Sequence, residues 1–267
     1  MAFIHENWYK KDRLYYFLSF SIFCNPSSAL RNSKMPRIKE TKSNINEAYR
    51  AIKRLMLKQK LIPGQKLLYR ELSGWLNMSK TPIVNALNRL EQEGFVTSEP
   101  NVGYMIKPIN QKEIFDSYEV REALEIKALE TAIKSATVRQ MAGLEERCRS
   151  FDQYRPYQYD KKKLMLDCEI HLQIAVISNN EVLRYLLRRN FDHMILRIQQ
   201  DNYIPERMEI SSQDHKNLLE LMGNQDFPKS AELLSRHIRN DRDHVLLCIS
   251  GENQDEMDVV SMFESGS

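Results

Sequence analysis

The sequence predicts a mainly α-helical protein in two parts, and three observations lead there. Gly and Pro number only 8 and 9 in 267 residues, too few for the many tight turns of a sandwich or barrel. Apolar residues recur at helical spacing behind repeated capping signals along most of the chain. The period changes to that of strands near residues 95–107, so one small β-element interrupts the helices.

Composition narrows the classes. Hydrophobic residues make up 42% and charged residues 28%, which supports a sizeable core and excludes wholesale disorder. A net charge of +3 and a pI near 8.5 are too mild to indicate a nucleic-acid binder, so any basic surface must be local. Cys24, Cys148, Cys168 and Cys248 are scattered without a CxxC pair. That spacing suggests neither a disulfide framework nor a zinc knuckle and fits a reduced, cytoplasmic chain.

Residues 1–40 are expected to be an extension. The apolar run Leu14–Cys24 behind Lys10, Lys11 and Arg13 imitates a signal peptide. It falls far short of the roughly 20 residues that span a bilayer, so no membrane partner is expected. Three readings stand: a leader or translated spacer with the true start at Met35, a peripheral extension, or a targeting signal.

The first organised unit is expected over 41–108. Asn44 with Glu47 gives a capping signal for a helix over 44–60, with Ile45, Ala48, Ile52, Leu55 and Met56 on its apolar face. Pro63-Gly64 supplies a turn. A short helix fits 69–76, with Asn77 suited to its left-handed end. Ser79 is placed to cap a third helix that accepts Pro82 in its first turn. Ile83, Ala86, Leu87 and Leu90 form the buried stripe of that helix, and Gly94 closes it. Strands fit 95–98 and 104–107, joined by a turn-rich hairpin. Three helices and a hairpin wing are the plan of a winged helix-turn-helix.

The second unit is expected over 110–250 as an all-α antiparallel helical bundle. Asn110 with Glu113 repeats the capping pattern, and helices fit 110 to beyond 132, 137–152, 160–178, 181–201, 212–222 and 228–249. A polar, tyrosine-rich connector covers 154–159. The acidic tail 251–267 lacks an extended periodic pattern and reads as disordered or lightly docked.

Five of the six histidines lie in this bundle. Asp167 and His171 are four apart, project from one face and can grip one ion. His215 is expected near the start of a later helix and His237 in the middle of the last. Three imidazoles and a carboxylate suit Zn, Ni, Fe or Mn, with geometry deciding among them. A histidine on a bundle helix is more often a surface or satisfied core residue. Spacing cannot exclude His244, two turns beyond His237, and His193 follows an exposed-looking Asp192. No HExxH, P-loop or GxSxG occurs.

Leu61-x-Pro63-Gly64-x-x-Leu67, Arg70-Glu71-Leu72, Ser79-Lys80-Thr81-Pro82-Ile83 and Ala86-Leu87-x-Arg89-Leu90-Glu91-x-Glu93-Gly94-Phe95-Val96 follow in an order that resembles the DNA-binding domain of GntR-family bacterial transcription regulators. The resemblance implies DNA contact at Arg70, Ser79, Lys80, Thr81 and Arg89, with Gly103 at the wing tip. For Arg89, an i,i+4 pair with Glu93 is an equal alternative. Family members commonly carry two arginines and a Glu where this chain has Lys80, Val84 and Asn85. Lysine is a point donor and valine can meet only a thymine methyl, while Asn85 and Asn88 suit adenine. The expected operator therefore relies more on A·T readout.

Asp167-x-x-x-His171, Asn180-x-x-Leu183, His215-x-x-Leu218-x-x-Leu221, Asp226, Ala231 and His237 resemble the FCD-type effector domain of the FadR subfamily. That resemblance implies a divalent metal, zinc first, held by Asp167, His171, His215 and His237. It also implies a small organic acid effector near the metal, with Arg121 and its face neighbour Tyr118 as effector-binding candidates. For Arg121, a salt bridge to Glu125 is the equal alternative. Arg188 and Arg197 either border the cavity or lie exposed. The expected whole is a homodimeric repressor reading a palindromic double-stranded operator. The alternatives are a helical metalloenzyme and a regulator whose metal is purely structural.

Overall fold

A computed structural model describes residues 37–100, 103–156, 160–198 and 205–250. The expectations for residues 1–36, the hairpin positions 101–102, the connector's second half (157–159) and the tail 251–267 lie outside the described residues. The chain divides into two compact units, one ending at Ile106 and the other beginning at Lys107.

In the first unit, helix α1 (Arg37–Leu57) begins seven residues before the expected cap. Asn44 is therefore interior to the helix, because no Gly or Pro between Arg37 and Leu57 stops the turns from extending. The helix also ends three residues early. Gln59 adopts a left-handed conformation (φ 54°), and the Lys60 amide closes back on the Leu55 carbonyl at 2.9 Å. Strand β1 (Lys66–Leu67), which sequence reasoning missed, pairs with the wing. Two residues are too short to show a period.

Helix α2 (Tyr69–Leu76) ends at Asn77 in the left-handed region (φ 50°), as expected. Helix α3 (Lys80–Gln92) has Ser79 at its N-cap with extended backbone, yet the Ser79 side chain makes no capping bond. Strands β2 (Val96–Glu99) and β3 (Gly103–Ile106) form the hairpin, and the sheet order is β1-β3-β2 with both pairings antiparallel. Ala48, Ile52 and Met56 of α1 meet Ile83, Ala86, Leu87 and Leu90 of α3 in a fully buried core. That packing leaves the opposite face of α3 at the surface.

The second unit is a bundle of α4 (Gln111–Ser135), α5 (Val138–Gln153), α6 (Lys161–Ile177), α7 (Glu181–Arg197), α8 (Pro205–Gly223) and α9 (Phe227–Ser250). Side chains of Asn110, Thr137, Asp160 and Asn180 accept from the amide three residues on, the bond each cap predicts. Twelve of the seventeen residues of α6 are buried, which makes it the central helix, packed against α4, α5 and α7. Helix α8 begins at Pro205, seven residues before its expected start, and α7 stops at Arg197. Among the described residues, no helix is long and apolar enough to cross a membrane.

Candidate metal centre and DNA-reading face

Asp167 and His171 project from α6, His215 from α8 and His237 from α9, and all four are buried. Their ligand atoms lie within 4.8 Å of one another. Asp167 Oδ2 is 3.5 Å from His171 Nε2, while Oδ1 is 3.3 Å from His215 Nε2 and 4.0 Å from His237 Nε2. The earlier start of α8 puts His215 in mid-helix rather than near the helix start. His193, half-buried, and His244, beside Cys248 Sγ at 3.6 Å, stand outside the cluster.

The donor set fits a cation. The Nε2 atoms of His171, His215 and His237 are buried without a hydrogen-bond partner among the described residues, an arrangement that is costly unless something else binds them. Glu125 Oε2 lies 2.5 Å from His171 Nδ1 and Asp214 Oδ2 lies 3.2 Å from His237 Nδ1. A carboxylate at Nδ1 fixes the proton there and turns the Nε2 lone pair toward the cluster. Burial pushes the Asp167 carboxyl up, but the imidazoles of His171, His215 and His237 outweigh it and hold the group well below the usual carboxylate range. Burial lowers the His215 imidazole below its ordinary value, favouring the neutral ring that a metal needs. A divalent ion held here would supply a Lewis-acidic anchor for an anionic group.

Arg121 on α4 is fully buried beside this cluster. Its Nε donates to Glu125 at 2.6 Å and its Nη1 to Asp241 at 3.0 Å. Its Nη2 stands 3.8 Å from Asp167 Oδ2 and has no hydrogen-bond partner among the described residues. The Glu125 salt bridge is thus present, and one side of the guanidinium still faces the cluster. The Tyr118 hydroxyl donates to Asp241 at 2.8 Å, so its position beside Arg121 serves that carboxylate. Arg197 neither borders the cluster nor lies exposed. It is buried and donates to the carbonyls of Lys107 and Pro108 at 3.0 and 2.6 Å and to Glu113 at 2.8 Å. Arg188 is half-buried, and that burial lowers its guanidinium below the ordinary value.

Sequence reasoning passed over Asp214 and Asp241. The first adjoins His215, and the second lies one turn beyond His237, so both had a local signal. For Glu125 the sequence suggests only the salt bridge to Arg121, not the contact with His171.

In the first unit, Arg70, Ser79, Lys80, Thr81, Asn85, Asn88 and Gly103 are exposed, and Val84 is half-buried. Lys80 Nζ sits 4.4 Å above the Tyr69 ring. Asn88 Oδ1 accepts from the Tyr104 hydroxyl of the wing, which ties one atom of the adenine-type fork to the wing. Arg89 is held inside the unit: its Nε donates to Glu93 at 3.0 Å, its Nη1 to Asn46 at 3.2 Å, and its guanidinium carbon lies 3.9 Å from the Tyr49 ring centroid. The salt-bridge alternative therefore describes Arg89 in this structure. Gly103 has φ 96° with open space where a Cβ would stand, so the backbone conformation, not crowding, requires glycine.

Comparisons with known proteins match both units. Residues 44–106 match the family described as bacterial regulatory proteins, gntR family, and residues 116–240 match the FCD domain. The chain is 30% identical over 190 residues to the Nta operon transcriptional regulator of Aminobacter aminovorans, covering 71% of this chain and 88% of that protein. It is 22% identical to an uncharacterized HTH-type transcriptional regulator, YdhC, of Bacillus subtilis (strain 168), covering 74% and 88%. In fold it is similar to E. coli McbR/YncC, with a TM-score of 0.66 at 19% identity over 76% of this chain and 96% of that one.

The architecture is that of a winged-helix DNA-binding unit joined to a helical effector unit. The chain belongs to the gntR family of bacterial regulatory proteins and carries an FCD domain. It is a DNA-binding transcriptional regulator, which removes the helical metalloenzyme from consideration.

Proposed function

We propose that this regulator is a cytoplasmic homodimer that represses from a palindromic operator and releases it when a small organic acid binds at a metal held by Asp167, His171, His215 and His237. Zinc is the first candidate, with Ni, Fe and Mn as alternatives. One observation carries the reading: four buried ligand atoms within 4.8 Å of one another, with three Nε2 atoms lacking other partners. Four protein ligands in an octahedral arrangement leave two positions for water or an effector carboxylate. Two-fold protein symmetry and inverted half-sites go together in helix-turn-helix proteins. Lys80, Thr81 and Arg70 hold backbone phosphates, while Asn85 reads adenine and Val84 a thymine methyl.

An effector changes operator affinity only through its different affinities for the DNA-competent and incompetent forms. A hundredfold release needs about 2.7 kcal/mol of that difference. The test is elemental analysis of protein purified without chelator, followed by operator-binding titrations with and without carboxylates. Stoichiometric metal and acid-dependent release support the reading. Metal without an acid response leaves a structural ion, and a His215→Ala protein that keeps its metal overturns the ligand set.

A further inference from the structure

Arg207 lies in the first turn of α8 with its side chain 11% exposed. Its Nε and Nη2 are buried, and neither has a hydrogen-bond partner among the described residues. The buried guanidiniums of Arg121 and Arg197 each donate through two nitrogens instead. Arg121 donates through Nε and Nη1, and Arg197 through Nε and Nη2. Among the described residues Arg207 forms an ion pair with Asp241, whose Oδ1 is 4.0 Å from Nη2, beyond hydrogen-bond reach. Asp241 Oδ2 already accepts from Tyr118 and Arg121.

The Nε and Nη2 nitrogens form one edge of the guanidinium, the parallel fork that meets both oxygens of a carboxylate at once. Burying that edge without an acceptor is costly, and buried donors left this way call for a partner. Asp241 joins this edge to the metal cluster. Through its two oxygens it faces Arg207 on one side and Arg121 on the other, and Arg121 Nη2, 3.8 Å from Asp167 Oδ2, likewise has no hydrogen-bond partner among the described residues. Two guanidinium edges with nitrogens lacking hydrogen-bond partners among the described residues therefore flank one neutralised carboxylate.

We propose that the effector carries two anionic groups, one seated at the metal beside Arg121 Nη2 and the other received by the Nε–Nη2 edge of Arg207. The inference rests on the carboxylate-sensor reading and names its ligand class, a dicarboxylate rather than a simple fatty or hydroxy acid. Arg207 would select ligands by their second charge.

Calorimetric titration of the zinc-loaded full chain tests this, using succinate, glutarate and adipate with butyrate as the single-carboxylate control. The wild type should bind at least one of the three at least about tenfold more tightly than butyrate, the size expected for a charged bidentate contact. Arg207→Gln should erase that advantage and leave zinc content and butyrate affinity as they were, with Arg207→Lys keeping part of it. Unchanged zinc content and melting temperature in Arg207→Lys show that the fold is intact. Equal binding of all four acids, or an advantage that persists in Arg207→Gln, overturns the proposal. If no acid binds while zinc is stoichiometric, the carboxylate-sensor reading fails and takes this inference with it.

Discussion

Glu125 on α4 and His171 on α6 face each other with Oε2 2.5 Å from Nδ1, both side chains almost wholly excluded from solvent. Burial pushes the Glu125 carboxyl up, but His171 and Arg121 outweigh it and hold it below its ordinary value. The carboxylate thus stays ionised and fixes the imidazole tautomer that presents Nε2 to the cluster. Glu125→Gln keeps the size and can still accept a hydrogen bond, but it loses the charge. Such changes typically weaken a metal about 10–100-fold. Competition against a chromogenic chelator should show that loss with the helical content intact, and an unaltered affinity would remove Glu125 from the site.

Arg121 neutralises Glu125 and Asp241 in the middle of the bundle. Removing a buried cation leaves its partners charged in a medium that solvates them poorly. Arg121→Met should therefore cost on the order of 3–5 kcal/mol, read from urea denaturation of the metal-free protein so that altered metal binding does not contribute. A loss below about 1 kcal/mol would mean that the partners rearrange to reach water.

Much of this architecture was legible because its signals are local. Asn110, Thr137, Asp160 and Asn180 each announce a helix within four residues, and Asp167 with His171 shares a face by spacing alone. Local signals also misled: Asn44 has the residues of a cap but lies inside α1, since nothing before it halts the helix. The contacts that define the site were out of reach for the opposite reason. Glu125 meets His171 across 46 positions and Tyr118 meets Asp241 across 123, and no periodicity encodes which helix faces which. Arg197 shows the same limit, because its acceptors are carbonyls nearly ninety residues earlier.

Arg197 also holds the start of the second unit in place. The guanidinium fastens Lys107 and Pro108 and joins a second pair, Lys107 with Glu113 at 2.6 Å. Arg197→Gln should loosen the start of the second unit without touching the cluster. Hydrogen exchange at the amides of residues 109–113 should accelerate by about tenfold or more, the factor that follows from losing roughly 1.4 kcal/mol of local stability. Metal affinity should stay constant, and protection unchanged from wild type would show that other contacts hold this segment.

Lys163 on α6 is buried, with Nζ donating to the Phe151 and Tyr154 carbonyls at the end of α5 at 2.5 and 2.9 Å. Burial lowers its ammonium from 10.5 to about 8. Between about pH 8 and 10.5 the unfolded chain holds this proton more firmly than the folded one, so stability from this group rises as pH climbs through that window. Urea midpoints for wild type and Lys163→Met at pH 7.5, 9 and 10 isolate it, because the other titrations are common to both proteins. The difference should move in favour of the wild type as pH increases, and a constant difference would mean that the two carbonyls keep Lys163 charged.

Asn85 and Arg89 lie one turn apart on α3 but should behave differently when lost. Asn85 is exposed, with no side-chain hydrogen bond among the described residues, so Asn85→Ala should relax base preference at one operator position by about 1–3 kcal/mol. Lys80→Ala should weaken all duplexes alike and reduce the salt slope by about one. Arg89 is engaged by Glu93, Asn46 and the Tyr49 ring, with its side chain 31% exposed. Its replacement by Ala should lower stability by about 1 kcal/mol and leave the salt slope near the wild-type value. A slope reduced as much as that of Lys80→Ala would show that Arg89 leaves Glu93 to hold a phosphate when DNA arrives.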